Sequence, residues 1–178
     1  MLEIRIHGYG GEGIVTLAEL LAAAAIQTGK KVQALPSFGV ERRGAPVKSC
    51  LRISDQDIWI HSASYEPDIL LVLNNKLLDS ATAQGIKKNG RIFLNSPHPV
   101  ETAFSSEYID ATSIAIEEGL MASGVPFINV PLFGAFAAYL DIPFFCVEKA
   151  IADKWPAMVA IRNTRVAKIA YDTVRGRG

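Results

Sequence analysis

The pattern of apolar and polar positions at the start of the chain changes its period at a cluster of glycines. Leu2–Ile6 alternates apolar and polar side chains and runs into that cluster, which is typical of a strand that feeds a tight turn. After Gly13 the sequence IVTLAELLAAAAIQ contains strong helix formers, is apolar on nearly every side and stops at Gly29. The pattern predicts a strand, a turn and a helix that is buried on more than one side.

Two further strands are predicted, and the second of them is expected to begin an antiparallel hairpin. Strands are expected at Lys31–Leu35 and at Val47–Ile53. Asp55 and Asp57 then indicate a turn into the short segment IWI at 58–60. This spacing predicts a hairpin in which IWI pairs with the strand at Val47–Ile53.

The remainder of the chain alternates strands and helices. Asp68–Leu73 is a continuous apolar run, which is typical of a buried parallel strand. The other predicted elements are a helix over 77–86, a strand over 90–95, a strand near Tyr108–Ala111, a helix from Thr112, a helix over 130–140, and a helical tail from Val147 that is interrupted at Trp155 and Pro156. This order predicts one domain over 1–178, with a three-layer α/β/α fold and a mostly parallel, mixed sheet.

Composition and charge narrow the classes of function. Eighteen basic and eighteen acidic residues cancel, so no overall field attracts nucleic acid or an anionic membrane. No stretch approaches the roughly 20 apolar residues of a membrane span, and the N-terminus lacks the pattern of a signal peptide. Cys50 and Cys146 form no disulfide or metal-binding pattern, which is typical of a reducing compartment. We expect a cytoplasmic protein that binds neither nucleic acid nor a membrane.

The glycine cluster HGYGGEG is the first candidate for chemistry. Gly8, Gly10 and Gly13 have the spacing GxGxxG, with Gly11 between them, where a strand meets a helix, as in dinucleotide sites. Glu12, however, puts a carboxylate inside the turn, where it would repel a pyrophosphate. The second predicted strand also lacks the acidic residue that would bind a ribose hydroxyl. Three interpretations stay open: a dinucleotide site, a purely structural turn, and a turn against a partner or a partner-bound cofactor.

The second candidate is the segment FGVERRGAPVK, which follows the second predicted strand. Two adjacent arginines, Arg42 and Arg43, cannot lie flat on one surface patch, so one is expected to pair with Glu41 or another carboxylate. The other arginine can then reach outward to bind phosphate or carboxylate. The flanking residues favour a constrained loop over one that is merely solvated. The candidates for contact with substrate, coenzyme or an interface are Phe38, Gly39, Glu41, Arg42, Arg43 and Gly44.

The remaining polar residues give weaker signals. Asn74 and Asn75 follow a predicted strand, where they are expected to cap the next helix or to bind a ligand. The phenylalanine-rich segment 127–145 is expected to be core or a subunit interface. No nucleophile with its base is evident, so no catalytic residue is assigned. No metal site is expected from the three histidines, which lack ligand spacing: His7, His61 and His98.

Four segments of the chain resemble, in order and spacing, the gamma subunit of 2-oxoacid:ferredoxin oxidoreductases, especially the pyruvate and 2-oxoisovalerate type. They are IRIHGYGGEGIVTLAELLAAAA, VQALPSFGVERRGAPVKSCLRISD, DILLVLNNKLL and NVPLFGAFAAYL. The similarity extends over nearly the whole chain, and ERRGAP at 41–46 is its most specific motif. Two positions depart from the family: Glu12 stands where glutamine is general, and Val40 where proline is general.

The resemblance implies a multisubunit enzyme that interconverts a 2-oxoacid and coenzyme A with acyl-CoA and CO2. In such enzymes thiamine diphosphate, with Mg, cleaves the 2-oxoacid, and iron–sulfur clusters pass electrons to ferredoxin. The implied partners are alpha, beta and ferredoxin-like delta subunits, separate or fused. This chain alone is expected to bind none of these cofactors and to be inactive, while Arg42, Arg43 and the glycine turn lie near the shared site. The alternatives are a free-standing dinucleotide-binding protein and a purely structural scaffold subunit.

Overall fold

A six-stranded mixed sheet forms the centre of the molecule. The computed structural model describes residues 1–36, 44–60, 62 and 65–177. The strand order is β2-β3-β1-β4-β5-β6, with β1 at Leu2–Tyr9, β2 at Lys31–Pro36, β3 at Pro46–Ser54, β4 at Ile69–Val72, β5 at Arg91–Asn95 and β6 at Ser105–Ile109. Neighbours from β1 to β6 run parallel, and β3 lies antiparallel between β1 and β2. The mostly parallel, mixed sheet that the sequence predicts is confirmed.

Helices cover both faces of the sheet, but very unequally. The helices are α1 at Ile14–Ile26, α2 at Leu78–Ala83, α3 at Ala111–Glu117, α4 at Asn129–Tyr139, α5 at Phe144–Lys154 and α6 at Ala157–Arg175, with a 3-10 turn at Asn75–Leu77 before α2. One face packs against α1 and α3 to α6 and holds the main core, whereas α2 packs on the other face. The three-layer fold is confirmed. Among the described residues, no helix has the length and apolar character needed to cross a bilayer.

Helix α4 is the central helix of the main core. Its residues from Asn129 to Ala138 are all buried, because the helix is enclosed by the sheet, α1 and α6. At Gly134 the backbone of α6 comes so close that a Cβ would overlap the carbonyl oxygen of Ala167. The absence of a side chain at this position therefore sets the distance between α4 and α6.

The expected hairpin between β3 and the IWI segment is wrong. Both edges of β3 are already occupied, by β1 on one side and β2 on the other, so no edge is left for a third strand. Segment 58–60 is not a strand, and Trp59 in it is 82% exposed. The hairpin is instead formed by β2 and β3, with Leu35 opposite Cys50. The segment that joins these strands carries the paired arginines.

The face of the sheet opposite the main core is polar across β3 and β1. The guanidinium of Arg52 is buried there and donates to Glu3 Oε1 at 2.7 Å and to the carbonyls of Ile60 and Ser62. The buried Arg5 likewise donates to main-chain carbonyls, among them that of Tyr65 at 3.1 Å. The described residues between β3 and β4 (55–60, 62 and 65–68) are here called the strap, and two cations hold it by binding its main-chain carbonyls.

Candidate functional site

A polar cleft opens at the carboxyl edge of the parallel strands. The chain moves from β1 to one side of the sheet and later returns to β4 on the other side, so this edge contains the topological switch at which α/β sheets present their sites. The cleft has a volume of about 450 Å³. Its polar lining consists of two carboxylates, three carboxamides and two hydroxyls: Glu12, Asp110, Asn74, Asn75, Asn95, Thr112 and Ser113. A candidate binding site therefore lies where the fold predicts one.

The glycine turn and the end of the arginine loop are hydrogen-bonded to each other. The amide of Gly10 donates to the carbonyl of Ala45 at 2.8 Å, and the amide of Gly44 donates to the carbonyl of Gly10 at 3.1 Å. Gly44 has a φ of +85°, a conformation that favours glycine. The structure thus brings the glycine turn together with the described end of the second segment, Gly44 and Ala45. Of the loop candidates, Phe38, Gly39, Glu41, Arg42 and Arg43 lie outside the described residues.

Glu12 fills the concave side of the glycine turn. Its Oε2 accepts the amide of Tyr9 at 2.6 Å, and its Oε1 accepts Nδ2 of Asn74 at 3.3 Å. A Cβ on Gly8 would lie 2.8 Å from Glu12 Oε2, so Gly8 makes room for this carboxylate. The carboxylate of Glu12 therefore accepts the amide of Tyr9, which would otherwise be available to a bound phosphate.

The geometry does not fit a dinucleotide site. In that fold the second parallel strand lies beside the first and carries the acid that binds ribose. Here β3 separates β2 from β1, and β2 ends in Leu35 and Pro36. The turn from β1 into α1 also starts the helix: Gly13, at a φ of +78°, precedes the first residue of α1, and its carbonyl accepts the amide of Leu17.

The other cleft residues join neighbouring strand ends. Asn74 accepts the amide of Lys76 at 3.2 Å, so the expected cap on the next helical turn is confirmed. Asn95 donates to the carbonyl of Leu73 at 3.1 Å and to Oγ1 of Thr112 at 3.0 Å. Asp110 caps α3 by accepting the amide of Ser113 at 2.9 Å. These hydrogen bonds fix the orientation of the cleft side chains, which a surface that orients a ligand requires.

Sequence reasoning missed Asn95 and Asp110. Asn95 is the last residue of β5 and Asp110 directly follows β6, and both strands end at the same edge of the sheet. The available signal was that Asp110 has the residue type and position of a helix N-cap. Among the described lining residues there is no basic side chain. The hydroxyl of Ser113 donates to Oδ2 of Asp110 at 2.6 Å, and this pair belongs to the N-cap of α3. The cleft suits a neutral ligand with hydrogen-bond donors, so an anion here would need cations from elsewhere.

His7 is buried on the polar face of the sheet. Its Nε2 accepts Nε of Arg5 at 2.9 Å. Burial, followed by the charges of Arg5 and Lys48, lowers the pKa of His7 to about 4, so the imidazole is neutral at pH 7. The buried, neutral His7 therefore has a structural role. The described part of the chain contains no cluster of His, Cys, Asp and Glu suited to a metal. Of the other histidines, His98 is exposed and His61 lies outside the described residues.

The two cysteines are buried free thiols in different elements, β3 and α5. Burial raises the pKa of the Cys146 thiol, which keeps it protonated and unreactive. An iron–sulfur cluster or a magnesium-bound diphosphate therefore does not fit the described residues of this chain.

Comparison with known proteins identifies relatives along the whole chain. Residues 3–173 match the family described as pyruvate ferredoxin/flavodoxin oxidoreductase. The pyruvate synthase subunit PorC of Methanocaldococcus jannaschii is 41% identical, over 97% of this chain and 96% of that protein. The pyruvate/ketoisovalerate oxidoreductases common subunit gamma of Thermococcus litoralis is 40% identical, over 97% and 96%. The crystal structure of the pyruvate oxidoreductase subunit PORC of Thermotoga maritima has a TM-score of 0.80 at 33% identity, covering 96% of this chain and 95% of that one.

Proposed function

We propose that this chain contributes two loops to an active site shared with other subunits, because it belongs to the pyruvate ferredoxin/flavodoxin oxidoreductase family and is a subunit of the gamma type. The whole enzyme is proposed to interconvert a 2-oxoacid and coenzyme A with acyl-CoA and CO2, with the electrons passing to ferredoxin. Pyruvate and 2-oxoisovalerate are the proposed substrates, since both are named among the relatives. The compartment is the cytoplasm.

The observation that carries this proposal is the pair of hydrogen bonds between Gly10 and the end of the arginine loop, Gly44 and Ala45. Because these bonds tie that end of the loop to the carboxyl edge of β1, they support a position for the loop beside the cleft. The described cleft lining is rich in acceptors and has no basic group. Arg42 and Arg43 are therefore proposed as the cations for an anionic substrate or coenzyme.

The cofactors of the reaction belong to the neighbouring subunits in this proposal. Thiamine diphosphate with Mg and the iron–sulfur clusters supply the cleavage and the electron transfer, and the described residues of this chain offer them no ligand set. The proposed partners are the alpha, beta and ferredoxin-like delta subunits. What this chain contributes is binding and orientation, which accelerate a reaction without a chemical step of their own.

The double variant Arg42→Ala/Arg43→Ala in the reconstituted complex tests this function. We expect kcat/KM for the 2-oxoacid or coenzyme A to fall by at least about 100-fold, because two lost charge-assisted bonds at about 1.5–3 kcal/mol each cost about 3–6 kcal/mol. The complex should still elute intact from size-exclusion chromatography. The matched control is Arg165→Ala/Lys168→Ala, which removes two exposed cations of α6.

Two results would contradict the proposal. Dissociation of the double variant from its partners would assign the arginine loop a scaffold role. Wild-type kinetics in an intact complex would place the arginines away from the shared site. The dinucleotide alternative predicts a rise in Tm with NAD(H), NADP(H) or FAD at millimolar concentration, and we expect none.

A further inference from the structure

A second pocket opens on the helical face of the molecule, separate from the cleft. It has a volume of about 460 Å³. It lies where α1, α4 and α6 meet, beside the segment that follows the short hairpin of β7 (Met121–Ala122) and β8 (Val125–Pro126). Six apolar side chains form its walls: Leu120, Phe127, Val130, Trp155, Met158 and Val159. A pocket of this size can enclose most of a small organic molecule.

Two buried carboxamides from neighbouring helices also line the pocket. Asn129 on α4 is 8% exposed and Asn163 on α6 is 4% exposed, and neither side chain has a hydrogen-bond partner among the described residues. Gly13 leaves room for the first of them, since a Cβ there would lie 2.7 Å from Nδ2 of Asn129. A buried amide is normally paired, because leaving its donors unpaired costs much of their hydration free energy. The unpaired carboxamides indicate a polar group that a ligand supplies.

The first turn of α4 adds main-chain donors to the same pocket. This helix begins at Asn129, and no side chain caps it. The amides of Asn129 and Val130 donate to no described residue, and Pro131 has no amide hydrogen. Unpaired amides at the positive end of a helix dipole favour an anion. Main-chain and side-chain donors therefore lie together in this pocket.

The charged side chains that line the pocket are both cations, and its described lining contains no acidic residue. Arg162 donates through Nη2 to the carbonyls of Glu118 and Gly119, so its Nε and Nη1 have no partner among the described residues. Lys154 pairs with Glu19 at 2.8 Å, and a partly exposed ion pair of this kind is weak enough to exchange for a ligand. The electrostatics of the pocket therefore favour an anion over a neutral molecule.

We propose that this pocket binds a monocarboxylate with an apolar body. The carboxylate accepts from the carboxamides of Asn129 and Asn163 and from the first turn of α4, because its two oxygens offer about four acceptor sites. Arg162 and Lys154 balance its charge at the mouth. The apolar body lies against the walls, including the ring of Trp155. Inorganic phosphate lacks the apolar body and an alcohol lacks the charge, so neither matches both parts of the pocket.

Fluorine NMR of the two tryptophans tests the site. Trp59 and Trp155 are the only tryptophans of the chain, so labelling it with 5-fluorotryptophan before assembly with unlabelled partner subunits gives two signals. Trp155 lines the pocket, whereas Trp59 lies exposed in the strap. Titration of the reconstituted complex with octanoate should shift the Trp155 signal to saturation and leave the Trp59 signal unchanged. An unmoved Trp155 signal, or equal shifts of both signals, would overturn the proposal.

Two analogues of octanoate separate the two halves of the ligand. Acetate keeps the carboxylate without the apolar body, and octanol keeps the apolar body without the charge. Each is expected to bind at least about 10-fold more weakly than octanoate, because each loses one set of contacts. Octanol binding as tightly as octanoate would make the pocket merely apolar, and equally tight binding of acetate or inorganic phosphate would make it a plain anion site. Either result contradicts the proposed ligand class.

Asn163→Leu removes one carboxamide while nearly keeping the side-chain volume. The Kd for octanoate, read from the Trp155 signal, should rise about 10-fold, because a hydrogen bond to a charged group is lost. The Tm without ligand should stay equal or rise, since the unpaired amide is gone. The control Asn89→Leu makes the same change at an exposed position outside the pocket. A wild-type Kd, or a lowered Tm without ligand, would show that Asn163 does not bind the carboxylate.

Arg162→Met keeps an apolar stem and removes the charge at the mouth. The Kd for octanoate should rise about threefold at low ionic strength and less at high ionic strength, because salt screens an exposed charge. The control Arg165→Met removes a neighbouring exposed cation of α6 that does not line the pocket. Equal Kd values for both variants at low ionic strength would contradict a role of Arg162.

This inference goes beyond the proposed function, and the two fail in different ways. If octanoate does not bind but Arg42→Ala/Arg43→Ala lowers kcat/KM, only the carboxylate site is wrong. If octanoate binds and depends on Asn163 while the double variant has wild-type kinetics, only the proposed function is wrong.

Discussion

Glu12 determines how the glycine turn is used. Its two carboxylate oxygens accept from Tyr9 and Asn74, whereas a glutamine at this position has one acceptor and an amide that would face the amide of Asn74. Sequence reasoning predicted that this carboxylate lies inside the turn. It could not predict the bond to Asn74, because that residue is 62 positions away.

Glu12→Gln is expected to destabilise the chain by about 1 kcal/mol, because one hydrogen bond is lost. The free energy of unfolding is measured by urea denaturation at pH 7. The control Glu148→Gln changes an exposed carboxylate on α5 and should have little effect. Equal stability of Glu12→Gln and wild type would mean that the Asn74 contact contributes nothing.

His7 makes stability depend on pH in a defined window. Its pKa is about 4 in the folded chain and near 6.5 when unfolded, so below pH 6.5 the unfolded chain binds a proton that the folded chain does not. The contribution is complete above pH 6.5 and is lost as the pH falls toward 4, by about 3 kcal/mol in total.

His7→Gln keeps an acceptor for Arg5 but cannot titrate. The difference in unfolding free energy between pH 6.5 and pH 4 should therefore be smaller in this variant by about 3 kcal/mol. The measurement is urea denaturation across this range, with His98→Gln, an exposed histidine, as the control. Parallel pH profiles for wild type and His7→Gln would contradict the assignment.

At the scale of elements, the packing of α4 against α6 leaves no room for a side chain at Gly134. Alanine has a higher helix propensity than glycine by about 1 kcal/mol, so propensity alone predicts that Gly134→Ala stabilises the chain. The overlap with the carbonyl of Ala167 predicts the opposite. Because two buried helices would have to separate, we expect a net loss of about 3 kcal/mol.

Urea denaturation of Gly134→Ala shows whether the substitution raises or lowers the free energy of unfolding. The control Ala152→Gly, at an exposed position on α5, measures the effect of helix propensity alone and should lower the free energy of unfolding by about 1 kcal/mol. A more stable Gly134→Ala would mean that the helices separate at little cost.

The elements themselves were largely predictable, because their signals are local. The periodicity of α1, the apolar run of β4 and the break at Trp155 and Pro156 each lie within one segment of the sequence. The partner of β3 was not predictable in this way, since pairing depends on which sheet edges are free. The expected strand at 58–60 had a suitable composition but no edge to join.

At the scale of the whole molecule, the site is assembled from residues far apart in the chain. Glu12, Asn74, Asn95 and Asp110 lie at the carboxyl ends of four different strands, and they meet only because those strands are parallel neighbours. The sequence therefore predicted the edge at which the cleft lies and the glycine turn beside it. The role of the arginine loop stays a prediction. The sequence did not reveal the full lining, which depends on how distant strand ends meet.

The strap is held through its main chain by buried arginines. Arg5 and Arg52 hold it through the carbonyls of residues such as Ile60, Ser62 and Tyr65, and every residue type carries a carbonyl. The side chains of Trp59 and Tyr65 meanwhile point into solvent. Substitutions can therefore change the exposed side chains of the strap while the hydrogen bonds to its main chain stay in place. Related proteins can acquire new surface chemistry in this segment at little risk to folding.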